Sequence, residues 1–177
     1  MKKVNLLNET FNEKIREIIR EELNKPLEVE IKYHDDNMPK MVKLDRGNWV
    51  DCERTLEDGT IEKTKKITYH KGDFLMLPLG ISIKQPKGYE VNLLPRSSTF
   101  KNFGIIQANS MAVGDDTFIS DNDMYHYPAI ALTDGEMYLY DRICQMQVNK
   151  TTNLKLNEVK TLGENETRGG FGESGVK

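Results

Sequence analysis

The chain has 177 residues and a mass of 20.4 kDa, the size of one domain or of one subunit in an assembly. Its 25 basic and 28 acidic residues leave a formal charge of -3, with 37% apolar and 30% charged residues; it can bury a core and lacks the basic excess of a general polyanion binder, so no nucleic-acid partner is expected. No run of about 18 apolar residues occurs, which excludes a membrane-spanning helix, and the start Met1-Lys2-Lys3-Val4-Asn5 has no apolar stretch behind its lysines, so no secretory signal and a cytoplasmic location are expected.

The first predicted element is a helix over residues 9–24. Phe11, Ile15, Ile18, Ile19 and Leu23 recur with a 3.6-residue period, while Glu13, Lys14, Glu17, Arg20 and Glu21 lie mostly around the other side. Thr10 followed by Glu13 has the form of a capping box, and Pro26 stops the helix. The expected role is an amphipathic helix laid against the domain or a neighbouring subunit, which also makes it a candidate surface for a protein partner. Both signs of charge on its polar face argue against membrane binding.

After Pro26 the period falls to two. Leu27, Val29, Ile31 and Tyr33 alternate with charged residues as in a half-buried strand. Glu57 to Lys66 carries an Asp58-Gly59 turn signal between charged arms and reads as an exposed hairpin. Strands are predicted at Phe74–Leu79, Ile81–Lys84, Tyr89–Leu94, Tyr127–Leu132, Glu136–Tyr140 and Ile143–Val148. Short strands punctuated by Gly, Pro, Asn and Asp point to a sandwich or barrel, and a single clear helix argues against a repeating βαβ order. The whole chain, 1–177, reads as one domain with a β core over 27–162. The tail 163–177, with five glycines in fifteen residues, is either disordered or an arm that orders over a ligand. Cys52 and Cys144 are too few and too distant in sequence for a disulfide framework and read as reduced thiols in or near the core.

Three clusters have chemical potential. Leu94-Pro95-Arg96-Ser97-Ser98 sets a guanidinium beside two hydroxyls just past a strand end, a donor set suited to phosphate oxygens, although a surface turn has the same composition. Gly114-Asp115-Asp116 lies in the polar stretch Asn109–Asp123, where an aspartate can activate a water or simply cap a turn. In Asp141-Arg142-Ile143-Cys144-Gln145, strand alternation points Arg142 and Cys144 one way and Ile143 and Gln145 the other, and the glutamine suggests a polar partner near the strand end. His34, His70 and His126 are scattered without metal-ligand spacing, and no P-loop, dinucleotide fingerprint or nucleophile elbow occurs. A magnesium ion held mainly by substrate phosphates would leave little trace in a sequence.

Taken in order, these clusters resemble the trimeric dUTPase family. Leu44-Asp45-Arg46-Gly47-Asn48-Trp49-Val50-Asp51 is similar to its first motif, with Asp51 at the aspartate. Pro95-Arg96-Ser97-Ser98 is similar to the second, and Asn109–Ser120 to the third, with Asp115 at the catalytic aspartate. Asp141–Gln145 resembles the fourth, apart from Tyr140 where a glycine is usual. Arg168-Gly169-Gly170-Phe171-Gly172-Glu173-Ser174-Gly175 resembles the glycine-rich fifth. The resemblance covers roughly Leu27 to Lys177 and leaves the N-terminal helix outside.

The resemblance implies an all-β subunit, a distorted jelly roll or β-barrel, with an added N-terminal helix and a flexible C-terminal arm. It further implies a homotrimer with active sites at subunit interfaces and an arm donated by a third chain. The implied reaction is hydrolysis of dUTP to dUMP and pyrophosphate with Mg2+, limiting uracil incorporation into DNA. Asp115 would activate the attacking water, with Asn109 and Gln145 fixing the polar site. Arg96, Ser97 and Ser98 would face the phosphates, Gly114 and Phe118 would lie at the nucleoside, and Arg168 would neutralise the terminal phosphate. Phe171 would cover the uracil, Gly172 and Ser174 would bind phosphate oxygens, and Asp51 and Arg142 would orient the site. The chain departs from the family's pattern at Gly114, where a large apolar anchor is expected to be missing; at Ser120, where a Cβ meets a position expected to need an unusual backbone angle; and at Glu173. Competing readings are a catalytically weak nucleotide-binding regulator, an enzyme related to dCTP deaminase, and a structural β protein.

Overall fold

A computed structural model describes residues 2–43, 49–53 and 66–163, with side chains in the N-terminal helix from Phe11 onward and that of Glu53 omitted. Helix α1 spans Lys2–Asn24 and starts well before the predicted capping box, so Thr10 is an interior helical residue and not an N-cap. The helix ends where expected, because Pro26 cannot extend the ladder. Its apolar stripe is not covered by the described core: Phe11 is 64% and Ile18 59% exposed. The expectation that α1 lies against its own domain is therefore not met among the described residues.

The strands among the described residues form four small sheets that do not close into a barrel. Here the barrel expectation is corrected: each sheet keeps open edges, as in a distorted sandwich. β1 (Glu30–Tyr33) pairs antiparallel with β5 (Ile81–Lys84), and β3 (Lys66–Tyr69) with β10 (Gly135–Tyr138). β4 (Phe74–Pro78), β9 (His126–Ala131) and β7 (Ile105–Gln107) form a three-stranded sheet. The largest sheet runs β2 (Val50–Glu53), β11 (Arg142–Lys150), β6 (Tyr89–Pro95), β8 (Ala112–Gly114). The inward faces meet in one core that includes Tyr69, Leu77, Leu79, Ile81, Ile83, Leu93, Ile105, Tyr127 and Met137. Burial on this scale stabilises each large side chain by about 1.5–3 kcal/mol relative to exposure.

Most predicted strands appear with ends shifted by a residue or two. Missing from the prediction are β2, β3, β7 and β8 and a short helix α2 (Thr99–Phe103). Gly104 ends α2 in the left-handed region at φ 62, and a Cβ there would sit 1.8 Å from Thr133 Oγ1, so only glycine serves. Beyond Lys150 the described chain to Gly163 is exposed and carries no strand, with Leu154 and Leu156 75% and 90% exposed. The proposed hairpin lies outside the described residues except for Lys66, which begins β3. Both cysteines are buried and neither is in a disulfide among the described residues, as expected, and Cys52 stands opposite Cys144 across β2 and β11.

Candidate active site

β6 is the spine of the site, because all three described motif clusters attach to it or to a strand beside it. Its last residue, Pro95, cannot donate to a ladder, and the chain leaves the sheet there. Arg96 follows at the strand end, as the sequence indicated. The turn is pinned by Thr99, which is almost fully buried: its Oγ1 accepts from the Arg96 N–H at 2.8 Å and donates to the Ile143 carbonyl at 2.9 Å. Gln145 donates from Nε2 to the Pro95 carbonyl at 3.1 Å, supplying the polar partner expected near that strand end.

This turn aims Arg96 at Asp51 on β2. Arg96 Nε meets Asp51 Oδ1 at 2.8 Å, and Arg142 meets Oδ2 at 3.1 Å. One carboxylate is thus held between two guanidiniums, which leaves net positive charge and fixes both forks in space. Arg96 also donates to the Arg142 carbonyl at 3.2 Å and lies 3.5 Å from Ser98 Oγ. Ser98 precedes α2 without using its side chain as a cap, and Ser97 is exposed. The expected alternation of Arg142 with Cys144 fails. A bulge between them sets Arg142 opposite Glu53 and Cys144 opposite Cys52, so Ile143 is the extra residue and is buried alongside Cys144.

A second group lies toward the other end of β6. β8 pairs Val91 with Gly114 and Leu93 with Ala112, and Asp115 leaves β8 just beyond. Asp115 is exposed, and its Oδ1 accepts from the Thr117 N–H at 2.8 Å and from the Thr117 hydroxyl. The hydroxyl bond first, and then the N–H bond, hold its pKa below the ordinary aspartate value. Its Oδ2 has no hydrogen bond among the described residues, so one oxygen is positioned and the other is available to a water. Removing the hydroxyl while keeping the N–H should raise that pKa. The acid limb of kcat/KM in Thr117→Val should therefore move to higher pH than in the wild type, and a pH–rate profile with an unmoved limb would contradict this.

Sequence reasoning missed the residue that holds this turn from below. Gln85, 3% exposed, donates from Nε2 to the carbonyls of Gly114 at 3.2 Å and Asp115 at 2.7 Å. No local signal identifies it, because its partners lie 29 and 30 positions away. Gln85→Leu should destabilise the fold by about 1–3 kcal/mol by orphaning two carbonyls. It should also lower kcat about 10-fold by loosening Asp115. Chemical denaturation and steady-state kinetics read the two effects separately.

Two expectations about departures from the family pattern are corrected. Gly114 does not leave a hole: a Cβ there would lie 2.0 Å from the Tyr125 hydroxyl and 2.6 Å from its Cζ, so the phenol fills the place of a side chain. Ser120 has no positive φ; among the described residues the left-handed non-glycine positions are Ser110 at φ 59 and Tyr140 at φ 64. Ser120 instead closes a turn in which its N–H donates to Asp123 Oδ2 at 2.8 Å. Tyr140 does occupy a backbone conformation that favours glycine, and its hydroxyl bonds Asp35 at 2.6 Å. Burial and that bond push the tyrosine pKa up to about 12.

Phe118, Tyr125, Gly114, Leu93, Ala112, Val113, Met124 and His126 line a cleft of about 210 Å³ beside Asp115. Asn109 connects toward it through Gln107, whose Nε2 donates to Asn109 Oδ1 and to the Leu93 carbonyl, each at 3.1 Å. The described structure therefore gathers Asp51, Arg96, Ser98, Arg142 and Gln145 at one end of β6, and Gly114, Asp115 and Phe118 at the other. The register ends with Gly114 opposite Val91, so Asp115 leaves the sheet at least five residues from Arg96, roughly 17 Å or more along the strand. Arg168, Phe171, Gly172 and Ser174 lie outside the described residues. No three His, Cys, Asp or Glu side chains converge among the described residues. Arg96, Ser97 and Ser98 offer donors to phosphate oxygens, which could in turn carry a magnesium ion.

Comparison with known proteins follows the same lines. No family model matches the chain. The SPbeta prophage-derived deoxyuridine 5'-triphosphate nucleotidohydrolase YosS of Bacillus subtilis is 41% identical over 152 residues, 85% of this chain and 100% of that protein. The deoxyuridine 5'-triphosphate nucleotidohydrolase of Finegoldia magna is 34% identical over 103 residues, 56% of this chain and 70% of its own length. Among solved structures, dUTPase from Streptococcus mutans superimposes with a TM-score of 0.59 at 16% identity, covering 72% of this chain and 98% of that one. The Staphylococcus bacteriophage 80alpha dUTPase with dUPNHPP gives 0.59 at 15% identity over 84% of this chain and 99% of that one. These structures share the fold.

Proposed function

The chain belongs to the deoxyuridine 5'-triphosphate nucleotidohydrolase (dUTPase) family and hydrolyses dUTP to dUMP and pyrophosphate, and on that footing we propose how its residues divide the work. Asp115 is the general base. The supporting observation is its exposed carboxylate, kept ionised by Thr117 on one oxygen and open on the other. A water on Oδ2 loses its proton to Asp115 as it attacks the α-phosphorus; the bond from that phosphorus to the bridging oxygen breaks, and pyrophosphate leaves with the electron pair. Arg96, backed by Asp51 and Arg142, meets the phosphate oxygens with Ser97 and Ser98. Gln145 and Asn109 act by fixing the backbone and polar groups around them. The cleft beside Asp115, lined by Phe118, takes the deoxynucleoside, with the Phe118 ring against the sugar on the side where a 2'-hydroxyl would be crowded.

The family generally uses Mg2+, and in this chain the ion belongs on the substrate's phosphates, where it offsets charge developing on the departing pyrophosphate. Arg168, Phe171, Gly172 and Ser174 complete the proposal as the arm over base and phosphates. The separation of Asp115 from Arg96 along β6 supports a site assembled between chains of a homotrimer, in which Asp115 of one copy serves the arginine cluster of another. The exposed stripe of α1 supports a contact with another chain as well. No described helix is long and apolar enough to cross a membrane, and action in the cytoplasm is part of the same proposal.

The deciding assay is release of pyrophosphate from dUTP, dTTP, dCTP and UTP. Turnover is expected with dUTP far above the others. Silence with all four from folded protein, or ammonia release from dCTP, would overturn the reading.

A further inference from the structure

Tyr125 is 4% exposed, and its hydroxyl is buried without a hydrogen-bond partner among the described residues. Its backbone is locked from both sides: its N–H donates to the Ile81 carbonyl at 2.9 Å, and its carbonyl accepts from the Leu79 N–H at 3.0 Å. From that fixed point the ring reaches two groups of the site. It covers Gly114 so closely that a Cβ would overlap the phenol. It also meets Phe118 edge to face, with ring centroids 5.2 Å apart and planes at 88°, an arrangement favoured by aromatic quadrupoles. Phe118 itself lines the cleft and is 36% exposed there.

The geometry points to Tyr125 as the residue that sets selection of the sugar: anchored to the start of β5, it props Phe118 against the deoxyribose and, through Gly114, holds the peptide that leads into Asp115. The residue acts through Phe118 and Gly114 and is a positioning residue. Glycine at 114 is then a requirement of the tyrosine, because the two positions share one volume. The hydroxyl makes no hydrogen bond among the described residues and acts only through the space it fills against Gly114, whereas the ring makes the contact with Phe118. This inference rests on the reading that the cleft beside Asp115 holds the deoxynucleoside.

Steady-state kinetics with dUTP and UTP on the full-length protein test it, using Phe118→Ala, Tyr125→Ala, Tyr125→Phe, Gly114→Ala and the Gly114→Ala/Tyr125→Ala double variant. Tyr125→Ala should raise KM for dUTP and erode the preference for dUTP over UTP, each about 10-fold, with kcat changed less. Tyr125→Phe should keep both within about 2-fold of the wild type, because it retains the ring against Phe118 and most of the volume beside Gly114. Gly114→Ala should mimic Tyr125→Ala by displacing the ring. The double variant should lose no more preference than Tyr125→Ala alone, because neighbours that act through one contact are not additive. If Tyr125→Ala does not fold, Gly114→Ala carries the same test from the opposite side of the contact. A preference that falls in Phe118→Ala but survives in both Tyr125→Ala and Gly114→Ala overturns the role of Tyr125 and leaves the cleft as the nucleoside site. A Phe118→Ala protein with unchanged KM and preference overturns the nucleoside reading itself. Losses that simply add in the double variant overturn the shared contact.

Discussion

Asp115→Asn should lower kcat about 10²- to 10⁴-fold, the span attributed to a positioned general base, while leaving the protein folded and KM for dUTP within a few-fold. The amide keeps an Oδ1 that accepts both bonds from Thr117, so the turn survives. Only the ability to take a proton from water is lost. Because Asp115 is exposed, the neutral amide leaves no buried charge unpaired elsewhere. Single-turnover pyrophosphate release alongside circular dichroism checks both halves, and a variant retaining more than a tenth of the wild-type kcat would remove Asp115 from the chemistry.

Arg96→Ala should cost about 10²- to 10³-fold in kcat/KM, because it takes a fixed guanidinium away from the charge that develops on the phosphates. Arg96→Lys should recover little. Nε of Arg96 is spent on Asp51 at 2.8 Å while its Nη1 reaches the Arg142 carbonyl, and an ammonium cannot fill both places and still face a phosphate. This variant also tests the assembly. If Asp115 and Arg96 act from different chains, mixing inactive Asp115→Asn subunits with inactive Arg96→Ala subunits creates sites with both residues intact. Random mixing in a trimer should then restore about a quarter of the wild-type sites after subunit exchange. Failure to recover any activity from demonstrably mixed trimers would place both residues in one chain's site.

Much of the candidate site was legible before the fold, and for a physical reason. The roles proposed for Arg96, Asp115 and Gln145 rest on their own functional groups, so their residue types and order along the chain are themselves the signal. The helix ending at Pro26 and the longer strands were also legible, because period and proline act locally. The three- and four-residue strands β2, β3, β7 and β8 were not. Too short to show alternation, they exist because a neighbouring strand offers hydrogen bonds. The bulge at Ile143 is invisible for the same reason: it arises from pairing with β2, and it reversed the expected facing of Arg142 and Cys144.

The amino-acid sequence alone determined the reagents: an aspartate in a polar turn, an Arg-Ser-Ser segment after a strand, a glutamine near a strand end, and the family they resemble. Tertiary structure alone decided what holds them. Gln85 beneath Asp115, Thr99 beneath Arg96 and Tyr125 in the space left by Gly114 each act on partners distant in the chain. Such supports depend on volume and on which carbonyls come within reach, quantities that exist only once the strands have packed, which is why a glycine that looked like a lost anchor is in fact half of a close-fitting pair.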